Sequence, residues 1–267
     1  MKLTVIGGGG VRSLMLAKSL AQNAKEYNIT HIVFMDNNVQ KLNIFGALAR
    51  EVAIRIMPSL DFTLTTNPVE AIQSADYIIT TIRAGEDDMR IRDERIALAH
   101  NVLGQETTGA AGFSFAMRSV PALAEYCELV RKYANPNAKV FNFTNPAGVV
   151  SQTLRDMGYD FTFGICDAPT GMLRSFAHLY GIAPETVTAT CYGLNHLSFF
   201  NSIQFSGKEM LPTLINDDRI YATTDMRFFS KELTKKMGCI LNEYLYYFFY
   251  REKAVQNILD AHVTRGE

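Results

Sequence analysis

A short apolar stretch running straight into four glycines, Lys2 to Ile6 and then Gly7-Gly8-Gly9-Gly10, constrains this chain more than any other feature. A segment of helical periodicity, Ser13 to Asn23, follows almost at once. Strand, glycine turn and helix in that order bring backbone N–H groups to a helix N-terminus, where a pyrophosphate can rest on them. Gly7 and Gly9 supply the first two positions of GxGxxG, while the third falls on Arg12, so the fingerprint is incomplete. Asp36 closes a second apolar stretch, Thr30 to Met35. A carboxylate at that point accepts hydrogen bonds from an adenosine ribose and disfavours a 2′-phosphate. Gly7, Gly8, Gly9, Gly10 and Asp36 are therefore the expected cofactor-binding residues, and NAD rather than NADP the expected cofactor.

The alternation continues through the first half. Val39 to about Met57 is long and amphipathic, Asp61 to Thr65 is β-rich, and Pro68 to Ser74 reads as a short helix opened by proline. Asp76 to Ile82 is continuous and β-branched, Val120 to Tyr133 predicts a helix, and Ala138 to Phe143 predicts a strand before the turn Thr144-Asn145-Pro146. Near-continuous apolar strands separated by helices indicate a parallel sheet covered on both faces. The expected fold class is α/β, a Rossmann-type doubly wound parallel sheet followed by an α+β region. In that second region Val187 to Phe205 is β-rich, Asn216 to Asp225 is a polar break, and the end is helical and rich in tyrosine. The expected division is residues 1–165 for the cofactor domain and 166–267 for a metal and substrate domain.

Composition excludes more than it identifies. With 26 basic and 27 acidic residues the net charge is −1, which leaves no electrostatic footprint for nucleic acid or an anionic membrane. A local basic pocket for a phosphorylated small molecule remains allowed. No apolar run approaches the roughly 20 residues of a membrane span, and MKLTVIGGGG holds too short an apolar segment for a signal peptide. The expected location is cytoplasmic. Cys127, Cys166, Cys191 and Cys239 are scattered without CxxC spacing, which argues against a disulfide framework or a structural zinc cluster.

A series of motifs narrows the reading. Thr81-Ile82-Arg83-Ala84-Gly85, Arg90, Asp93-Glu94-Arg95 and Gly104-Gln105-Glu106-Thr107 come first. Asn142-Phe143-Thr144-Asn145-Pro146, Gly164-Ile165-Cys166-Asp167, Gly193-Leu194-Asn195-His196, Tyr244-Leu245-Tyr246-Tyr247 and Thr264-Arg265 follow. This order, spread over the whole chain, resembles glycoside hydrolase family 4, which contains NAD- and manganese-dependent phosphoglycosidases. Gln105 to Pro121 and Phe143 to Val150 look most like the 6-phospho-β-glucosidases.

The resemblance implies an unusual chemistry. Glycosidic bonds are ordinarily cut by two carboxylates, and NAD-dependent enzymes are an exception. In the family chemistry NAD⁺ takes a hydride from sugar C3, and the ketone so formed acidifies the C2 proton. A base removes that proton, the C1–O bond eliminates, water adds, and the hydride returns. Cys166 and His196 match the family's metal ligands, with the ion acting as a Lewis acid on the C2 and C3 oxygens. A Cys/His pair does not by itself choose Mn²⁺ over another divalent metal. Tyr244 matches the base at C2, and Asn145 matches a contact to the sugar hydroxyls. Arg90 and Arg265 match substrate-binding arginines, whose planar guanidinium suits a phosphate. The expected partner is a phosphorylated sugar, and the full-length family implies a homo-oligomer.

Two departures qualify the match. The β-enzymes commonly carry asparagine after the metal cysteine, whereas this chain has Asp167, as the α-type enzymes do. Asp167 can serve as the acid that protonates the leaving oxygen or as a group beside the metal. Family members also extend well beyond the residues matching Arg265, so the second domain is expected to be incomplete. Four readings stay open: a 6-phospho-β-glucosidase, a 6-phospho-α-glucosidase, a metal-free NAD-dependent hydroxy-acid dehydrogenase, and an inactive NAD-binding remnant.

Overall fold

A computed structural model describes residues 1–267, which form two compact units. The first comprises Met1–Arg95, Gln105–Ile165 and Arg265–Glu267; the second comprises Ile96–Gly104 and Cys166–Thr264. No helix is long and apolar enough to cross a membrane.

In the first unit six strands lie in the order β3-β2-β1-β4-β5-β6, all parallel. They are β1 (Lys2–Ile6), β2 (His31–Met35), β3 (Asp61–Thr65), β4 (Tyr77–Thr80), β5 (Lys139–Asn142) and β6 (Thr162–Gly164). The connecting helices are α1 (Ser13–Asn23), α2 (Val39–Lys41), α3 (Ala47–Ile56), α4 (Pro68–Ile72), α5 (Glu86–Ala99), α6 (Gly109–Tyr133) and α7 (Ala147–Asp156). Strand order reverses between β1 and β4, and ligands of such sheets bind outside the carboxyl ends of the strands at that switch point. Apolar side chains leave both faces of the central strands. Val5, Ile32 and Phe34 pack with α1 and α3 residues such as Ala17 and Ala49, while Ile6, Val33 and Ile78 pack with Ile72 and Val130. Each aliphatic side chain so buried contributes about 1.5–3 kcal/mol. The doubly wound expectation describes this unit.

Two elements differ from the sequence reading. The helix expected from Val120 starts at Gly109 and carries Pro121 inside it. Its buried residues, Ala111, Gly112, Phe115, Ala116, Ser119, Leu123, Cys127 and Val130, keep one helical face throughout, so packing overrides the poor propensity of the Gly-Ala-Ala-Gly opening. Gly112 is required there, because a Cβ would stand 2.7 Å from the Thr107 carbonyl carbon. The amphipathic stretch from Val39 is helical as expected, but Leu42–Gly46 forms a π-turn between α2 and α3.

The second unit carries α8 (Ala168–Tyr180), the hairpin β7 (Val187–Leu194) and β8 (Leu197–Phe205), β9 (Lys208–Glu209), α9 (Leu211–Asn216), α10 (Asp218–Thr223) and α11 (Lys231–Met237). Then come β10 (Ile240–Leu241), a 3₁₀ turn over Glu243–Leu245, α12 (Tyr246–Phe249) and α13 (Arg251–Ala261). β10 and β7 flank β8 antiparallel. The core gathers Phe176, Phe200, Ile203, Leu214, Ile220 and Ile240. Leu103, from the short Ile96–Gly104 piece, belongs to the same core. Asn216 to Asp225, read from sequence as a break, is largely helical. Asp217 caps α10 by accepting from the Arg219 amide, and Thr224 caps the following 3₁₀ turn. Polar residues that suggest a loop are here caps of short helices.

Candidate active site

The glycine turn is packed to the thickness of bare backbone. Gly7 has φ +98°, and a Cβ there would stand 2.6 Å from the Thr81 carbonyl oxygen; at Gly8 one would stand 2.5 Å from Phe34 Cβ. The amides of Gly7 and Gly8 both donate to the Met35 carbonyl at 2.8 Å. The Gly9 amide donates to Asp36 Oδ2 at 2.9 Å, and Asp36 Oδ1 accepts from the Asn38 amide at 2.9 Å. A cavity of 610 Å³ opens here, bordered by Gly7, Gly9, Gly10, Asp36, Thr81 and Tyr126 among others. That volume is in the range of small-molecule sites. A turn that admits no Cβ at Gly7, Gly8 or Gly9, with a carboxylate at the end of β2, fits the close approach of a dinucleotide.

Lys41 and Glu86 also border this cavity and pair at 2.9 Å; Asn38 Nδ2 donates to the same carboxylate at 3.2 Å. The hydrogen bond from Lys41, reinforced by Asn38, holds the Glu86 carboxyl below its usual range. Burial raises the Tyr126 hydroxyl, and the Asp36 charge adds to it.

Farther along the first unit, arginines and carboxylates interlock. Glu106 Oε2 receives Arg83 Nη1 at 2.6 Å and Arg90 Nε at 3.0 Å. Arg90 Nε also meets Glu94 Oε1 at 3.1 Å, and Glu94, fully buried, accepts the Gly266 amide at 2.9 Å. Arg118 pairs with Asp93. Arg90 is thus held by two carboxylates, both through Nε, and Arg265 is exposed beside Gly266. Asn145 follows β5 and is joined to Pro146 by a cis peptide. Its loop rests on a buried network: Thr80 Oγ1 donates to Asn142 Oδ1 at 2.8 Å, Asn142 Nδ2 to the Thr144 carbonyl at 3.0 Å, and the Ile82 amide to Thr144 Oγ1 at 3.0 Å.

The second unit brings three of the expected residues together. Cys166 follows β6 and precedes α8, where the helix dipole favours negative charge. His196 is the second residue of the two-residue turn between β7 and β8, with Leu194 opposite Leu197, and has φ +60°. Left-handed backbone is uncommon for residues with a Cβ and gathers at functional sites. Gly193 makes the tight return possible: its φ is +113°, and a Cβ would lie 2.3 Å from the Leu197 carbonyl oxygen. Cys166 Sγ lies 3.4 Å from His196 Nε2. The Tyr244 ring stacks on the imidazole at 3.6 Å between centroids and 5° between planes. Asp167 is exposed at the N-terminal boundary of α8, with its carbonyl accepting the Gly171 amide at 2.8 Å.

Cys166 and His196, a soft sulfur and an imidazole nitrogen within hydrogen-bonding distance of each other, are the pair that would hold a divalent ion. No group of three or more His, Cys, Asp or Glu side chains is arranged to hold a metal.

Glu94 and Glu106 entered the sequence reading only as members of motifs, with no partner assigned, and Lys41 did not enter it by name. The Arg90–Glu94 pair carries the i,i+4 signal of a helix face, whereas Arg83–Glu106 and Lys41–Glu86 join residues with no local pattern.

A doubly wound unit with a glycine cradle, followed by a Cys/His pair, defines an α/β protein built for a dinucleotide. Comparison with known proteins is more specific. Residues 2–182 match the model for "Family 4 glycosyl hydrolase" and residues 191–267 that for "Family 4 glycosyl hydrolase C-terminal domain". The chain belongs to family 4 of the glycosyl hydrolases. It is 30% identical over 261 residues to the 6-phospho-beta-glucosidase BglT of Thermotoga maritima, an alignment covering 97% of this chain and 61% of that protein. With the 6-phospho-alpha-glucosidase of Leptotrichia buccalis it shares 32% identity over 215 residues, covering 79% of this chain and 49% of the relative. The structure of the Thermotoga maritima 6-phospho-beta glucosidase with manganese, NAD+ and glucose-6-phosphate superposes with a TM-score of 0.88 at 29% identity. That match covers all of this chain and 64% of the other. The chain thus spans about three fifths of the length of BglT.

Proposed function

We propose that this chain acts as a 6-phospho-β-glucosidase, hydrolysing a phosphorylated disaccharide with NAD and a divalent metal, Mn²⁺ in the first instance. The observation that carries the reading is the Cys166–His196 pair at 3.4 Å with Tyr244 stacked against it. Relatives of both anomeric types support the coarser activity, and the β assignment rests on the likeness of Gln105 to Pro121 and Phe143 to Val150 to the β-enzymes. When bound, NAD supplies a reversible hydride acceptor and the metal supplies Lewis acidity toward the sugar hydroxyls.

The chain's own residues divide the remaining work. In the domain formed chiefly by residues 1–165, the bare backbone of the glycine turn lets the cofactor's pyrophosphate approach the N-terminus of α1, and Asp36 accepts from its ribose. Cys166 and His196 hold the ion, in a domain formed chiefly by residues 166–267. Tyr244 takes the C2 proton on its phenolate oxygen. Asn145 hydrogen-bonds the sugar hydroxyls, and Arg90 and Arg265 meet the phosphate, Arg90 with its terminal nitrogens because Nε faces Glu94 and Glu106. Asp167 donates a proton to the leaving oxygen.

A second reading, the 6-phospho-α-glucosidase, is favoured by the carboxylate at Asp167. Purified protein incubated with NAD⁺, Mn²⁺ and nitrophenyl 6-phospho-β-glucoside should release nitrophenol without net NADH accumulation. Release from the α-anomer alone would install the second reading. Steady NADH production from a hydroxy acid without metal would overturn both.

A further inference from the structure

Asn242 is buried, 2% exposed, and hydrogen-bonds in two directions. Its backbone amide donates to the Ser198 carbonyl at 3.0 Å, and its Nδ2 donates to Ser198 Oγ at 3.2 Å. Its Oδ1 accepts the Tyr244 amide at 3.0 Å. Ser198 stands two residues past His196 on β8, and Tyr244 stands two residues past Asn242. One short side chain therefore links the strand that carries His196 to the turn that carries Tyr244. Asparagine can do this because it offers an acceptor and a donor from one terminus. The Tyr244 amide can only donate, which assigns Oδ1 to that side and leaves Nδ2 for Ser198.

The stack bridged in this way is tighter than its neighbours. Other aromatic pairs of the second unit have centroids 5.1 to 6.2 Å apart and planes 25° to 68° apart. His196 and Tyr244 lie 3.6 Å and 5° apart. Isolated aromatic rings prefer offset or edge-on contacts to a close parallel one, so a parallel pair needs its two backbones held in register. Pairing of β10 with β8, Ile240 with Phe200 and Leu241 with Phe199, brings the chains side by side. Asn242, the next residue, makes the last tie before Tyr244. A plain turn cap would need Oδ1 alone; the bond from Nδ2 to Ser198 couples the cap to the hairpin.

We propose that Asn242 is a positioning residue: bridging Ser198 and the Tyr244 amide, it holds the Tyr244 ring flat against His196 and so fixes the imidazole with Nε2 toward Cys166. The consequence for metal binding rests on the reading of Cys166 and His196 as ligands; the consequence for the stack does not. Outer partners that orient a ligating histidine typically contribute 10- to 100-fold to metal affinity.

The test uses Asn242→Ala, Ser198→Ala and Asn242→Asp, with two readouts. The first is the ring-current upfield shift of the His196 C–H protons in metal-free protein by NMR, assigned by their loss in His196→Gln. The second is Co²⁺ titration followed by the sulfur-to-cobalt charge-transfer absorption of Cys166. Asn242→Ala should move the His196 resonances toward ordinary positions and weaken Co²⁺ binding about 10- to 100-fold. Ser198→Ala, which spares the cap on Tyr244, should act the same way more weakly. Asn242→Asp should restore much of both, because the Ser198 hydroxyl can donate to the new carboxylate. Folded Asn242→Ala protein with His196 resonances at wild-type positions would overturn the proposal. If Asn242→Ala does not fold, Ser198→Ala decides, and unchanged resonances in it are the overturning result. An absent charge-transfer band in the wild type would overturn the metal reading alone, since the ring-current shift still decides the role of Asn242.

Discussion

Asp36 receives the Gly9 amide at 2.9 Å on the same oxygen that a Cβ on Gly9 would approach to 2.9 Å. The carboxylate and the bare glycine are fitted to each other, so each should be sensitive to change. Asp36→Ala should weaken NAD binding about 10- to 100-fold, the worth of a hydrogen bond to a charged group. It should weaken NADP binding less, because the repulsion of a 2′-phosphate disappears with the carboxylate. Gly9→Ala should also lose NAD affinity and cost about 1–3 kcal/mol of stability through overpacking. Calorimetric titration of both nucleotides checks these outcomes, and equal losses for NAD and NADP in Asp36→Ala would count against its ribose role.

Cys166→Ser replaces the sulfur beside His196 Nε2, which binds metals as an anionic thiolate, with a hydroxyl that stays neutral. Mn²⁺ affinity, read by electron paramagnetic resonance of the free ion, should fall at least about 10-fold. NAD affinity in the first unit should stay within about twofold. Unchanged Mn²⁺ binding would remove Cys166 from the ligand set.

Glu106 answers two arginines at once, Arg83 at 2.6 Å and Arg90 at 3.0 Å, from a side chain only 9% exposed. Glu106→Gln should lower the stability of the protein by about 3 kcal/mol, near the lower end of the cost of breaking a buried pair. Urea unfolding measures it. A loss under about 0.5 kcal/mol would place the cluster with exposed pairs, whose contribution is small.

Asp217 caps α10, accepts the Tyr180 hydroxyl at 2.6 Å, and is forked by Arg219. The Arg219 hydrogen bonds hold its carboxyl well below the usual carboxylate range. A carboxyl depressed in the folded state adds stability that is fully present above its unfolded value, near 4, and is lost as the pH falls toward the folded value. Asp217→Ala should therefore be about 1–2 kcal/mol less stable at pH 7, a typical cost for losing a cap. The difference from wild type should narrow below about pH 4. Thermal unfolding across that range checks it, and a gap constant down to pH 2 would contradict the ionic origin.

Much of the first unit can be read from residue order, because each β-strand is a short apolar run and each helix shows its period locally. Lys2 to Ile6, the glycines and Ser13 to Asn23 carry the switch-point architecture almost alone. The opening of α6 could not be read, since its glycines and alanines mark a helix only once Thr107 presses against Gly112. The second unit is harder. Cys166 lies 30 residues from His196, and His196 lies 48 from Tyr244, so no periodicity connects them; a resemblance could name them, and only the hairpin turn and the β10 pairing bring them together. Arg90 is intermediate: its type suggests a phosphate, while the two carboxylates that hold its Nε, Glu94 four residues on and Glu106 from beyond α5, become visible as partners only in the fold.

The interleaving of the two units bears on how the molecule can be dissected. The polypeptide leaves the first unit partway along α5, contributes Leu103 to the second core, re-enters at Gln105, departs again at Cys166 and returns for its last three residues. No single cut separates the halves. A clone ending at Ile165 would keep the nine-residue excursion without its core and would lose the Gly266 amide that Glu94 accepts. Autonomous expression of either half calls for a genetic rearrangement, with Ile96–Gly104 replaced by a short designed loop, rather than a stop codon.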